Sequence, residues 1–239
     1  MFSQLPIRRI TEHQLSPAPR NQWPHTLPPV LQLLEEGMDF GAATVLVGEN
    51  GSGKSTLIEA IALSYGLSPE GGSTGAQHST RATESGLEEH LQLVRNVGAS
   101  RRGYFLRAET MHGLYTYLED HPSMRRQDLS FHTMSHGESF LELITDRFRE
   151  GGLWVLDEPE SALSFSGCLA LLGILKDLVA EGDSQVILST HSPLLASLPG
   201  ATIYEVGPWG LRPSDWEDLD LVINWRSFMN APERYLRRL

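Results

Sequence analysis

The stretch VLVGENGSGKST, residues 45–56, decides how this chain is read. An apolar, β-branched run gives way to three glycines, one lysine and three hydroxyls before an apolar pattern resumes. The segment ATVLVG predicts a buried strand. The segment GKSTLIEAIALSYG predicts a helix, with Leu57, Ile58, Ile61 and Ala62 at helical spacing and a stop at Gly66. Between them, Gly48, Glu49, Asn50, Gly51, Ser52, Gly53, Lys54 and Ser55 match G-x-x-x-x-G-K-[ST], the P-loop, in the strand-then-helix setting it needs. Each residue type has a physical reason. Glycines let successive backbone N–H groups turn inward with no Cβ in the way. The following helix aims its positive dipole end at the same point. Lys54 supplies a point charge for the β- and γ-phosphates, Ser55 a hydroxyl for Mg²⁺, and Thr56 closes the phosphate-binding segment.

Three distant segments narrow the chemistry. LWVLDEPE ends an apolar strand in Asp157-Glu158. An aspartate there can hold Mg²⁺ through water beside the P-loop. The adjacent Glu158 can polarise a water for in-line attack on the γ-phosphate; the other reading is an acidic pair on the surface before Pro159. VILSTHSP puts His191 just past another buried strand, where it can contact a γ-phosphate or orient the attacking water, or serve as a hydrogen-bonded structural residue. Upstream, MSHGESF places Ser135, Gly137 and Glu138 at the start of a predicted helix. Their order along the chain raises all of these above single-motif chance.

The remaining composition is that of an ordinary globular protein: 239 residues, 40% hydrophobic, 21% charged. A net charge of −11 argues against a surface built for nonspecific duplex binding. Only Lys54 and Lys176 are lysines, so the P-loop holds one of two. A single cysteine, Cys168, rules out an intrachain disulfide and reads as a core residue. Without a long apolar window or a secretory leader, the expectation is a cytoplasmic chain with no direct membrane insertion.

Strands alternate with helices through the middle of the chain, which predicts an α/β domain with a largely parallel sheet. Residues 5–15 read as an edge strand, 66–86 as a loop, 87–100 as a helix, 104–106 as a strand running toward Glu109, and 161–182 as a helix. Helices are also predicted in MHGLYTYLED and SHGESFLELITDRFREG, and a hairpin in TIYEVGPWGLRP. Arg101, Arg102 and Arg107, or Arg125 and Arg126, are candidates for a local nucleic-acid groove, with paired surface charges as the plainer reading. Trp23 and Phe40 are the adenine-stacking candidates; Trp216 and Trp225 read first as core.

With the four motifs in this order the chain resembles the ABC-type ATPases, including the SMC and Rad50 group. It resembles more closely a compact set of bacterial predicted ATPases labelled as AAA-family ATP-binding proteins, through EGGS, GYFLRAE, SHGESFL, LDEPESALS and APERYLRRL. The resemblance implies a P-loop NTPase of the ABC-ATPase kind: a mostly parallel sheet flanked by helices, a small N-terminal antiparallel β part and a helical subdomain. It implies one domain over 1–239, with loop and helical subdomain at about 66–150. It further implies hydrolysis of ATP with Mg²⁺ in a head-to-tail homodimer, with Ser135, Gly137 and Glu138 of one copy capping the triphosphate held by the other. Glu109 stands where a glutamine would reach the metal or the water, and is otherwise a loop acid or a partner of Arg107. The signature reads SHGES rather than LSGGQ, and Ser164 closes the D-loop segment where aspartate is usual. The effector is open: a nucleic-acid-repair or phage-defence partner ahead of a membrane transporter.

Overall fold

The computed structural model describes residues 5–69, 71–73, 85–108, 144 and 151–237. In chain order the elements are β1 (Ile7–Glu12), α1 (Pro28–Glu36), β2 (Met38–Asp39), β3 (Ala43–Val47), α2 (Lys54–Tyr65), β4 (Gly72–Ser73), β5 (Leu91–Arg95), β6 (Gly103–Arg107), β7 (Leu153–Asp157), α3 (Phe165–Glu181), β8 (Gln185–Thr190), β9 (Thr202–Gly207), β10 (Gly210–Pro213), α4 (Asp220–Asn230) and α5 (Glu233–Leu236).

Seven strands form the main sheet in the order β10-β9-β3-β8-β7-β6-β4. Its five inner strands run parallel, and an antiparallel strand closes each edge. The inner strands β3, β7 and β8 carry apolar residues at successive positions, 45–47, 153–156 and 186–188, because both faces are covered. Val45, Val47, Trp154, Leu156, Val186 and Leu188 point into a core shared with Cys168, Leu171 and Leu175 of α3. Their neighbours Leu46, Val155 and Ile187 point the other way, into a core shared with α1, α2 and the N-terminal strands.

Those N-terminal strands make a second sheet of order β2-β1-β5, antiparallel throughout. Here two expectations fail. β1 is central in this small sheet rather than an edge strand. Residues 87–100 are not a helix: a 3-10 turn over Leu87–His90 leads into β5, whose register pairs Glu12 with Leu91 and Ile10 with Leu93. Pairing with β1 along the length of LQLVR satisfies its backbone more completely than an isolated helical turn would. The stretch read as a loop at 66–86 contains β4, which adds to β6. The helix expected from Ser161 starts instead at Phe165. The Ser164 hydroxyl accepts the Gly167 N–H at 3.2 Å and caps it, while Pro159–Ala162 forms a 3-10 turn.

One buried side chain joins the two sheets. Gln185, at the start of β8, donates to the carbonyls of Ile7 and Gly41, both at 2.8 Å, and accepts the Ile7 N–H at 2.9 Å. The helices expected at 111–120 and 135–151 lie outside the described residues, apart from Ile144, which is helical and buried in the core with α3, and the closing Gly151. Among the described residues no helix is long and apolar enough to cross a membrane.

Candidate functional site

Parallel strands end side by side, so chemistry carried at their C-terminal ends converges. β3, β8 and β7 are consecutive in the sheet, and each releases its chain into the site at that edge. β3 opens into the P-loop, β8 into His191, and β7 into Asp157 and Glu158.

The P-loop is built as its residue types require. Gly53 sits at φ 99° and starts α2 without a side-chain cap, which leaves the first helical N–H groups directed at the loop. Gly48 is needed for space: a Cβ there would lie 2.3 Å from the Val206 carbonyl oxygen of β9. Lys54 is only 2% exposed. Its ammonium donates to the Glu49 carbonyl at 3.0 Å and lies 3.5 Å from Glu158 Oε1. Burial holds the lysine below its ordinary pKa, and the Glu158 carboxylate works against that shift.

His191 Nε2 stands 3.0 Å from Lys54 Nζ and 2.8 Å from Glu158 Oε1. A single ring nitrogen cannot serve both. Unprotonated it accepts from the ammonium; protonated it donates to the carboxylate. Lys54, Glu158 and His191, from three elements, thus share one polar contact.

Ser55 donates to Asp157 Oδ1 at 3.3 Å, and Ser189 donates to the same oxygen at 2.5 Å. The other oxygen, Oδ2, faces Arg107 Nε at 3.4 Å, an ion pair rather than a hydrogen bond. Arg107 also holds Glu59 of α2 at 2.5 Å. Burial raises the Asp157 carboxyl above its ordinary range, against the lowering effects of Ser189 and Arg107. Ser55 and Asp157 place two oxygens together at the loop's end, a donor set of hydroxyl and carboxylate that fits a hard cation keeping several waters, as Mg²⁺ does. Glu158 has φ 48°, the one non-glycine residue at positive φ among those described, and its N–H donates to the Ser189 carbonyl at 3.1 Å. Backbone strain of this kind persists where surrounding contacts over-determine it.

The structure therefore brings together Gly48 through Thr56, Asp157, Glu158 and His191. Ser135, Gly137, Glu138 and Glu109 lie outside the described residues. Sequence reasoning missed Ser189, Glu160, Glu59 and the true place of Arg107. Glu160 accepts from the Thr190 hydroxyl at 2.8 Å and from the His191 N–H, and so fixes the turn that carries the histidine. Arg107 is committed to two buried carboxylates, which takes it out of any nucleic-acid groove. Only the acidic spacing in LDEPE hinted at Glu160; no local pattern marks the others.

A P-loop on one strand, with an acid pair and a histidine on the two neighbouring strands, defines a P-loop nucleoside triphosphatase. The chain belongs to the ABC transporter family, whose model matches residues 32–161, and it carries that family's ATP-hydrolysing domain. It is similar to the cytochrome c biogenesis ATP-binding export protein CcmA of Rhodospirillum rubrum, 30% identical over 190 residues covering 73% of this chain and 78% of that one. It is also similar to the arabinose import ATP-binding protein AraG of Ralstonia nicotianae, 26% identical over 72% of this chain but only 37% of that protein's length. Among solved structures, the SMC head domain from Thermotoga maritima aligns with TM-score 0.43 and 16% identity over 75% of this chain and 93% of that one. The relatives named here are thus transporter ATP-binding proteins, the role that sequence reasoning ranked last.

Proposed function

We propose that this chain, acting as a single domain over 1–239, binds Mg-ATP in the P-loop and hydrolyses it to ADP and phosphate, with ATP-driven head-to-tail pairing of two copies as the switch it delivers to a partner. The observation that supports this best is the convergence of Lys54, Glu158 and His191 within 3.5 Å at the mouth of the uncapped α2. Lys54 moves its ammonium from Glu158 to the phosphates when a triphosphate enters. That releases Glu158 to polarise a water and His191 to hold that water or the γ-phosphate in place. Ser55 and Asp157 would hold Mg²⁺, which would supply charge neutralisation for the phosphates, and Glu109 would join them, a role that rests on sequence resemblance. Ser135, Gly137 and Glu138 of the second copy complete the site over the triphosphate, a role that rests on sequence resemblance.

Two settings fit the switch. The named relatives favour an ATP-binding subunit of a membrane transporter, working from the cytoplasmic side. A repair or defence complex remains the alternative from sequence, with the exposed Arg101 and Arg102 as its basic contribution.

The test pairs Glu158→Gln with Lys54→Ala. Loss of a positioned base lowers turnover about 10²- to 10⁴-fold, so Glu158→Gln retains ATP affinity, loses hydrolysis and accumulates as an ATP-bound dimer in light scattering. Lys54→Ala loses nucleotide binding altogether. Turnover by Glu158→Gln at the wild-type rate refutes the role given to Glu158.

A further inference from the structure

α4 leaves the body of the protein before it ends. Its start is anchored: Leu219 and Val222 are buried in the core with α3, and the Asp220 N–H donates to the buried Glu205 carboxylate at 2.9 Å. From Ile223 to Asn230 every residue is exposed. The sequence of the helix is nonetheless amphipathic. Leu221, Val222, Trp225, Phe228 and Met229 recur at i, i+1, i+4, i+7 and i+8, which makes one apolar stripe. The stripe is seated on the core at its first turn and overhangs for the next two. Trp225 is 51% exposed and Met229 71%, and the Phe228 ring meets Tyr235 of α5 edge-on at 5.6 Å. An 11-residue helix is marginal in water and takes most of its stability from a packed face, yet of this helix only Val222 is buried.

The charges beside the stripe are segregated. Asp215, Glu217 and Asp218 stand ahead of it, while Arg226, Arg234 and Arg237 lie toward and past its end, with Glu233 the one acid among them. All six are exposed.

We propose that a second copy of this chain covers the overhanging stripe, the two α4 helices pairing antiparallel about a two-fold axis without nucleotide. A two-fold contact needs a surface complementary to itself. Antiparallel pairing supplies one: it lays stripe on stripe, brings each acidic start beside the other copy's arginines, and opposes the two helix dipoles. Parallel pairing sets acid against acid and arginine against arginine. An anionic bilayer or a nucleic acid is a poorer occupant, because carboxylates border the stripe and the whole chain carries −11. The contact needs no triphosphate, unlike the pairing proposed above, and keeps two copies together between rounds of hydrolysis.

The experiment is sedimentation velocity on the nucleotide-free chain over about 1–100 μM, where a modest interface associates. Wild type forms a dimer, and Lys54→Ala does the same, so the result stands apart from the P-loop reading. Met229→Glu puts an unpaired charge in the contact and weakens pairing about tenfold or more. Circular dichroism shows that it stays folded, since Met229 is mostly exposed. Ile223→Glu pairs like wild type, because Ile223 is exposed on the opposite side of the helix. Two charge-reversed chains test the antiparallel sense: one carries Arg234→Glu and Arg237→Glu, the other Asp215→Lys and Asp218→Lys. Each alone pairs about tenfold or more weakly, and mixing the two restores a dimer, since both halves of the contact then join opposite charges. A wild-type chain that stays monomeric overturns the inference, as does pairing untouched by Met229→Glu. Reversed chains that fail to recover on mixing overturn it too, and so does a monomer that sediments with vesicles of anionic lipid.

Discussion

Replacing Arg107 by methionine tests whether the Asp157 side of the site is an electrostatic unit. Arg107 is the cation between Glu59 on α2 and Asp157 on β7, at 2.5 Å and 3.4 Å, and both acids are buried. Even with it in place, burial holds the two carboxyls above their ordinary range. Methionine keeps the volume and removes the charge. Breaking a buried pair by deleting one partner costs about 3–5 kcal/mol, because the other charge stays desolvated. At about 2–4 °C per kcal/mol for a chain of this size, the melting temperature falls by roughly 6–20 °C.

The sign with pH follows from the direction of the shifts. Carboxyls whose folded pKa exceeds the unfolded value favour the fold when protonated, and that advantage is lost as pH rises through the folded value. Without Arg107 both folded values rise further. The deficit of Arg107→Met is therefore larger when measured at about pH 8 than at about pH 5.5, because acidification favours the neutral acids that need no counter-charge. Urea unfolding at the two pH values measures it. Adding Glu59→Gln recovers part of the loss, since a neutral amide needs no counter-charge. A deficit below about 1 kcal/mol, or one that grows on acidification, refutes the reasoning.

Two further outcomes follow from close packing and buried polar groups. Gln185→Leu leaves the Ile7 amide and the Ile7 and Gly41 carbonyls without their side-chain partner, at roughly 1–3 kcal/mol for each group left unsatisfied. Hydrogen exchange should speed up in β1 before it does in β8; unchanged protection in β1 would rule out the sheet-joining role. Gly48→Ala forces a Cβ into the Val206 carbonyl, so β9 shifts away from the P-loop at a cost of about 1–3 kcal/mol. Both thermal stability and tripolyphosphate affinity should drop; a variant that loses neither shows that the loop is looser than drawn.

The sequence by itself determined whatever is local. The P-loop, its strand and its helix lie within 43–65, and the residue types that make the cradle are the residue types that bind phosphate. Consecutive apolar residues at 45–47, 153–156 and 186–188 announced strands covered on both faces, and the motifs at their ends could be ordered along the chain. Tertiary structure decided what pairs with what. That 91–95 is a strand depends on β1, some 80 residues earlier, offering an antiparallel edge. The Glu59–Arg107–Asp157 unit joins three elements whose charges carry no shared spacing. Trp225 reads as core from sequence, yet half of it stays exposed beside the P-loop, because the hairpin and α4 are docked there through Glu205. Periodicity reports which side of an element is apolar, but only the packed chain fixes which distant backbone or charge that side meets.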